Sequence, residues 1–238
     1  MEIYHFESLP STNSELIEMS KKNAKSWTVV YTFRQSNGKG YAGNQWSSEP
    51  DKNLAVSVLI KSVLSYDELI YFNQWLCYSV ANYLSQFSDE IYVKWPNDII
   101  IQNKKVCGIL IETHKSDNEL NIISGIGVNV NQTNFQNLEK AGSLKTQTQK
   151  EFDLKEILSG LLTELKNNYE WVEAKDWEKI KNLYNQRLFR VNQISLFKKE
   201  EKEFQGIIRG IDKFGQLMVE TSDGKTHPFK YKEIELKY

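Results

Sequence analysis

The sequence predicts an α+β fold in which a larger mixed domain is followed by a small domain made of strands. Strand-like and helical runs are mixed through residues 1–188, whereas residues 189–238 hold short β-branched and aromatic runs separated by turn signals. A chain of 238 residues is long enough for one medium domain and a small companion. We therefore predict a first domain over residues 1–188 and a second over residues 189–238.

In the first domain, strands are predicted where β-branched and aromatic residues cluster. These runs are residues 3–7, 27–33, 54–60, 91–95, 99–101, 106–112 and 120–130. Thr12 followed by Glu15 has the form of a capping box and predicts a short first helix. Apolar residues at helical spacing predict further helices over residues 66–87, 153–171 and 177–188. The second domain is predicted to contain strands over residues 194–198, 204–211, 216–221 and 227–236.

Composition and charge exclude several classes of protein. A hydrophobic fraction of 40% is enough for a real core and argues against disorder. A formal net charge of −1 argues against a dedicated nucleic-acid binder. The sequence has neither a signal peptide nor an apolar run long enough to cross a bilayer, so we expect a cytoplasmic protein without a membrane partner. Cys77 and Cys107 form neither a disulfide framework nor a metal-ligand pattern, and we expect no fixed metal site.

Four segments differ from ordinary connectors, and the first is Ser11-Thr12-Asn13. Residues of these types are common at helix starts, so a plain helix cap is the simpler interpretation. Free backbone N–H groups at the same place also suit an anionic ligand.

The second segment is residues 35–46, of which residues 38–46 are called the glycine loop below. Gly38, Gly40 and Gly43 remove side chains that would keep a charged ligand away from the backbone, and Lys39 places a cation between two of them. Trp46 either packs into the protein or stacks on a planar ring. A ligand-free surface loop is an equally good interpretation of this segment by itself.

The third segment is Lys94-Trp95-Pro96-Asn97-Asp98. A lysine among alternating apolar residues is costly unless its ammonium group has a partner. Pro96 restricts the backbone, so Lys94 would be held rigidly at a strand end, where a cation can stabilise developing negative charge. The alternative is an edge-strand lysine before a turn.

The fourth segment, residues 125–131, alternates two glycines and two asparagines with Ile126, Val128 and Val130. Alternation along a strand places the glycines and asparagines on one face, which suits a ligand lying against it. A bulged strand without a ligand is the alternative.

The sequence offers few residues suited to covalent catalysis, because the three histidines are dispersed and Gly-x-Ser-x-Gly is absent. Lysines, glycines and amides favour electrostatic stabilisation of phosphate chemistry.

These four segments, in this order, resemble the biotin–protein ligases. The family carries Ser-Thr-Asn, then Gly-Arg-Gly-Arg-x-Gly-x-x-Trp, then Lys-Trp-Pro-Asn-Asp, then Gly-x-Gly-x-Asn, and the third motif is unaltered here. The resemblance implies a class II synthetase-like mixed sheet with flanking helices, and a C-terminal SH3-like β-barrel. It also implies that biotin and MgATP form biotinyl-5′-adenylate, and that biotin then passes to a lysine of a biotin carboxyl carrier domain of acetyl-CoA or related carboxylases.

The resemblance also implies roles for individual residues. Lys94 and Lys39 would be the catalytic residues, contacting both the biotin carboxylate and the nucleotide phosphates. The biotin-binding residues would be Ser11, Thr12, Asn13, Gln35, Lys39, Gly40, Tyr41, Lys94 and Gly108. The ATP- or adenylate-binding residues would be Gly38, Lys39, Trp46, Lys94 and Asn129. Trp46 would stack on adenine, and Asn129 would reach the nucleotide.

Two positions depart from the family pattern, because Lys39 and Tyr41 stand where the family has arginines. Lysine keeps the charge but lacks the bidentate fork of arginine, and tyrosine has no charge. The sequence therefore predicts that the adenylate is retained less tightly than in arginine-bearing relatives.

Two rival functions have the same fold. A lipoate–protein ligase shares the adenylate chemistry, but its usual Gly-Gly-Gly loop is missing. A non-catalytic binding module is the other rival, and the intact Lys94 motif argues against it. The resemblance leaves monomer and homodimer open. Because the catalytic motifs begin near residue 1, we expect no DNA-binding repressor domain and no nucleic-acid partner.

Overall fold

The computed structural model of the protein describes residues 1–116, 119–136 and 138–238, without the side chain of Ser116. The first domain is built on a seven-stranded mixed sheet with the strand order β1-β2-β5-β9-β8-β7-β6. The strands are β1 (Glu2–His5), β2 (Thr28–Thr32), β3 (Gly38–Lys39), β4 (Gln45–Trp46), β5 (Asn53–Ser62), β6 (Ile91–Lys94), β7 (Asp98–Ile101), β8 (Lys104–Ser116) and β9 (Glu119–Asn129), of which β3 and β4 form a separate small hairpin. Strands β1 and β2 pair in parallel, and the other pairs of the large sheet are antiparallel.

Within the part of the chain that the structure describes, six helices flank the sheet. They are α1 (Thr12–Lys21), α2 (Leu69–Leu84), α3 (Leu144–Thr148), α4 (Leu154–Asn168), α5 (Glu170–Glu173) and α6 (Trp177–Gln186). The main core lies between one sheet face and the apolar sides of α2, α4 and α6. Helix α1 covers the opposite face, where Leu16 packs against Val30, Leu59 and Ile123. This division follows from alternation along each strand, since successive side chains point to opposite faces.

The second domain is a five-stranded antiparallel sheet with the order β13-β12-β11-β10-β14. Its strands are β10 (Ile194–Lys199), β11 (Lys202–Ile211), β12 (Leu217–Thr221), β13 (Thr226–Phe229) and β14 (Glu235–Lys237). The segment after α6 pairs with the free edge of β6 before it reaches β10, because Phe189 N donates to Val93 O over 2.8 Å. The indole of Trp95 also donates to Gly215 O over 2.9 Å, which ties the two sheets together.

The predicted fold class is confirmed, and the differences lie in the details. Ser11 caps α1 by accepting from Ser14 N, so the helix starts after the serine and Thr12 is its first residue. The helix expected over residues 153–171 divides into α4 and α5. The strand expected over residues 227–236 divides into β13 and β14, because residues 230–234 form a turn between them. Helix α3 was not predicted, since five residues are too few for a periodic pattern.

No helix among the described residues is long and apolar enough to cross a membrane. Cys77 and Cys107 are free and buried. Burial raises the pKa of both thiols, which keeps them protonated as small apolar groups.

Truncation of a side chain on α2 tests the main core. Phe72 is fully buried, so Phe72→Ala should lower the free energy of unfolding by about 3–5 kcal/mol, because it removes apolar contacts and leaves a cavity. Tyr66→Ala is the matched control, because Tyr66 is 62% exposed and its loss should cost less than about 0.5 kcal/mol. Urea unfolding followed by circular dichroism measures both variants, and equal losses would contradict this assignment of the core.

Candidate active site

A cavity of about 100 Å³ lies on the sheet face that carries α1. We call it the loop cavity, because the glycine loop covers it between the start of α1 and strands β7, β8 and β9. Its walls contain nine of the twelve site residues chosen from the sequence, together with Gly125 and Gly127 of the fourth segment. The nine are Ser11, Thr12, Asn13, Gln35, Lys39, Gly40, Tyr41, Trp46 and Gly108. These segments are far apart in the chain, so the fold brings them together.

The start of α1 is fixed in the cavity wall by a polar network. Thr12 donates its backbone N–H to Gln35 Oε1 over 2.9 Å. The buried hydroxyl of Ser57 lies 2.7 Å from Thr12 Oγ1 and 2.5 Å from Asn13 Oδ1. The amide of Asn13 donates to Glu112 Oε2 over 2.8 Å. Ser11 caps the helix and also lines the cavity, while Thr12 and Asn13 present hydroxyl and amide groups beside it.

The floor of the cavity is glycine backbone. A Cβ atom on Gly127 would lie 2.5 Å from the Trp46 ring, and one on Gly108 would lie 2.8 Å from it. A Cβ atom on Gly125 would collide with the Asn13 carboxamide. The glycines are thus required because side-chain groups lie directly on the strand backbone. Trp46 packs on this floor, and its buried Nε1 has no hydrogen-bond partner among the described residues.

Cross-strand pairing places the floor in one row. Ala55 pairs with Gly127, Gly127 with Gly108, Gly108 with Asp98, and Asp98 with Lys94. Paired residues point to the same face of a sheet, so the row runs from beneath the indole to Lys94 at the sheet edge. The motif lysine and the glycine floor therefore belong to the same surface.

Lys94 itself lines a neighbouring cavity of about 430 Å³, which we call the edge cavity. This space lies between the edge of the large sheet and the second domain. The Lys94 Nζ atom lies 5.8 Å from the ring centroid of Tyr238. Burial lowers the pKa of the Lys94 ammonium group below its ordinary value of 10.5. The charge of Asp98 opposes this shift, and the charge of Lys105 adds to it.

Two other lysines border the loop cavity. Lys39 is half-exposed, and its Nζ lies 3.9 Å from Glu112 Oε1. Lys105 was not among the residues chosen from the sequence. Its Nζ lies 2.6 Å from Asp98 Oδ1 and 5.6 Å from the ring centroid of Trp46. The pairing of β7 with β8 shifts register beside Lys105, and such irregularities redirect side chains near functional sites.

Three residues chosen from the sequence lie outside the loop cavity. They are Lys94, Gly38 and Asn129. Gly38 lies behind the wall, since a Cβ atom there would contact Gln35 and Trp46. The side chain of Asn129 donates to Gly142 O over 2.9 Å, while its buried Oδ1 has no partner among the described residues. That free acceptor is compatible with the predicted nucleotide contact, which stays a prediction.

Several polar residues of the site were missed by sequence reasoning. Asn97 and Asp98 belong to the third segment but were given no individual role, yet both line the cavity, and Asn97 Nδ2 donates to Ile109 O over 2.6 Å. Ser57 and Glu112 lie inside apolar strand runs with no local signal of function. The one clue to these two residues in the sequence is that each is a polar residue that interrupts an apolar strand run. No cluster of three or more His, Cys, Asp or Glu side chains with metal-binding geometry occurs within the described ranges.

Two sequence families match this chain. Residues 5–129 match the family described as Biotin/lipoate A/B protein ligase family. Residues 196–237 match the one described as Biotin protein ligase C terminal domain. The first match includes every residue that was chosen from the sequence for the site, and the second lies in the five-stranded domain.

Relatives and solved structures agree with these matches. The Bifunctional ligase/repressor BirA of Escherichia coli is 28% identical over 248 residues, which cover 96% of this chain and 72% of that protein. The Biotin–[acetyl-CoA-carboxylase] ligase of Paracoccus denitrificans is 24% identical over 225 residues, with coverage of 90% and 92%. A structure described as biotin protein ligase from Aquifex aeolicus in complex with biotin and ATP has a TM-score of 0.79 at 26% identity, covering 99% of this chain and 98% of that one.

A methyl group on the floor tests the packing of the indole. Gly127→Ala should displace Trp46 from the strand backbone, because the added Cβ and the ring cannot occupy the same space. We expect a red-shifted tryptophan emission, as the indole leaves a buried position for a wetter one. The same substitution in a Trp46→Phe background is the control and should leave the emission unshifted. An unshifted spectrum in the single variant would contradict the packing.

Proposed function

We propose that the protein catalyses its reaction in two steps, because the chain belongs to the biotin/lipoate A/B protein ligase family and is a biotin protein ligase. In the first step a biotin carboxylate oxygen attacks the α-phosphorus of MgATP, and the bond to pyrophosphate breaks. In the second step a carrier-domain lysine attacks the acyl carbonyl, and AMP leaves. The proposed acceptor is the biotin carboxyl carrier domain of acetyl-CoA carboxylase or of a related carboxylase.

The observation that carries this proposal is the convergence of the separate motifs on one cavity. The start of α1, the glycine loop and the glycine floor have no common sequence neighbourhood, yet all line the loop cavity. Small-molecule sites in proteins have this form, with few polar groups placed in a concave surface. The match of residues 196–237 to a biotin protein ligase C-terminal domain favours biotin over lipoate.

The polar network at α1 suits the uncharged head of biotin. Thr12, Asn13 and Gln35 offer hydroxyl and amide groups that can donate to a ureido carbonyl and accept from its N–H groups. Ser57 fixes two of these side chains from below, which lowers the entropy cost of ordering them around a ligand. We assign this end of the cavity, with Ser11 at its border, to biotin.

The opposite end suits the acid and the phosphates. Lys39 and Lys105 border the loop cavity, and Lys94 lies at the end of the row that forms its floor. The role of Lys94 requires its side chain to turn from the edge cavity toward Asp98, its cross-strand neighbour. Carboxylate and phosphate repel each other, so cations that hold both groups lower the barrier. Magnesium enters with the nucleotide as part of the substrate.

Ligand binding requires Trp46 to move. The loop cavity of about 100 Å³ is smaller than the roughly 300–1,000 Å³ of ordinary small-molecule sites. The indole lies on the glycine floor, where a planar base could replace it. Displacement of Trp46 would free this floor, and the indole could then stack on adenine, as the family resemblance implies.

Only the ligase activity is proposed for this chain. The Escherichia coli relative is named a ligase and a repressor, whereas both family matches refer to ligases. A cytoplasmic place of action is part of the proposal and agrees with the free thiols of Cys77 and Cys107.

ATP–pyrophosphate exchange with biotin, lipoate and octanoate in parallel tests the substrate. We expect exchange with biotin alone, because the network at α1 matches a ureido group. Exchange with lipoate in place of biotin would favour the rival ligase, and exchange with none of the three acids would favour a non-catalytic module.

Removal of the motif cation tests the first step. Lys94→Ala should lower biotin-dependent exchange about 10²–10³-fold, because one preorganised charge at the reacting centre is lost. Lys104→Ala is the matched control, because Lys104 contacts the backbone carbonyl of Glu139 and does not line the loop cavity. Near-normal exchange in Lys94→Ala with an intact fold would contradict the role.

The pH profile of exchange tests whether Lys94 acts as a cation. Lys94 can stabilise negative charge only while its amino group is protonated, and burial lowers the pKa of that group below 10.5. Exchange should therefore begin to fall at a lower pH than the one at which an ordinary lysine loses its proton. In Lys94→Arg this alkaline fall should move to higher pH, because a guanidinium stays charged. Initial rates between about pH 7 and 10 measure the effect, and identical profiles for the two proteins would rule it out.

A further inference from the structure

Tyr41 of the glycine loop touches the second domain. Its ring lies against Tyr231 with a centroid distance of 4.8 Å and an interplanar angle of 70°. This edge-to-face arrangement is favourable for aromatic pairs. Tyr41 stands at one of the two positions where the sequence departs from the family pattern, and its uncharged ring cannot make the electrostatic contacts of an arginine. The contact gives it a partner that lies 190 residues away in sequence.

Tyr231 contacts a second aromatic ring of the first domain besides Tyr41. It lies in the turn between β13 and β14, where Lys230 N donates to Glu233 Oε2 over 3.0 Å. Its ring is 6.0 Å from that of Trp95, which is itself hydrogen-bonded to Gly215 O. Burial raises the pKa of its hydroxyl group, so the side chain is neutral near pH 7.

The glycine loop has few attachments of its own. The hairpin of β3 and β4 has two cross-strand pairs, Gly38 with Trp46 and Lys39 with Gln45. Between them, Gly40 N donates to Asn44 O over 2.7 Å. Tyr41 is at the tip and is 41% exposed, so its contact with Tyr231 is the tip's link to the second domain. The ring of Tyr231 can therefore influence the position of the loop tip.

The contact also lies at the rim of the proposed site. Tyr41 and Tyr231 both border the loop cavity, and Tyr231 borders the edge cavity as well. Gly40 directly precedes Tyr41, and Lys39 precedes Gly40. The position of Tyr41 thus decides how closely these two residues cover the cavity.

We propose that Tyr231 is a positioning residue that holds the glycine loop over the cavity through Tyr41. The inference rests on the proposed ligase function and deepens it, since it assigns the second domain a part in retaining the adenylate. An aromatic pair of this geometry corresponds to about a two- to tenfold change in an equilibrium or a release rate.

Release of the adenylate measures the effect. Preformed biotinyl-5′-adenylate should leave Tyr231→Ala about two- to tenfold faster than wild type, because the loop opens more often. Tyr231→Phe should behave as wild type, since the ring and not the hydroxyl group makes the contact. Tyr66→Ala, an exposed aromatic truncation away from both cavities, should have no effect. Unchanged release in Tyr231→Ala would overturn the proposal.

A double-mutant cycle separates the contact from general damage to the second domain. Tyr41→Ala and Tyr231→Ala should each speed release, and the double variant should add little to either single change. Strictly additive effects would show that the two rings act independently and would overturn the proposal. Tyr41→Arg adds a second criterion, because loss of the ring contact predicts faster release, whereas restoration of charge predicts slower release. Slower release would count against the aromatic contact.

Limited proteolysis gives a readout that does not depend on adenylate formation. Trypsin should cut after Lys39 faster in Tyr231→Ala than in wild type, and equally fast in Tyr231→Phe and wild type. If wild type forms no adenylate, the proposed function fails while this comparison still decides whether the contact holds the loop. Equal cleavage of wild type and Tyr231→Ala would overturn the positioning role even in an active enzyme.

Discussion

The close approach of side chains to bare strand backbone is the constraint on which the site depends. Gly108, Gly125 and Gly127 form a surface where even a methyl group would collide with Trp46 or Asn13. The antiparallel register of β5, β9, β8, β7 and β6 aligns this surface with Asp98 and Lys94. A shift by one residue would turn every member of the row to the opposite face.

Two cations of the site lie beside carboxylates of the protein. Lys105 is paired with Asp98, and Lys39 lies near Glu112, so each cation has a partner that an acid or a phosphate could replace. Lys94 differs, because its ammonium group lies 5.8 Å from the ring centroid of Tyr238 and burial lowers its pKa. An anionic ligand would remove part of this desolvation cost, which is a physical reason for such a lysine to favour binding of a polyanion.

Much of the fold and of the candidate site could be predicted from the sequence. β-Branched runs indicated the strands of the large sheet, and periodic apolar residues indicated α2, α4 and α6, because both signals arise from neighbours along the chain. The four motif segments, the family and its α+β fold also followed from residue types and their order. The domain boundary at residue 188 and the roles of the individual site residues stay predictions.

Tertiary structure alone decided which side chains meet. Ser57, Glu112 and Lys105 reach the site through pairing between distant strands, and Tyr41 finds Tyr231 only because the second domain docks beside β6. The register of the strands, the docking of the second domain and the packing of Trp46 all depend on long-range contacts. The free energy of these contacts is shared among many residues. Local sequence reports the preferences of single segments, so it determined the elements and motifs, whereas their spatial arrangement was set by the complete fold.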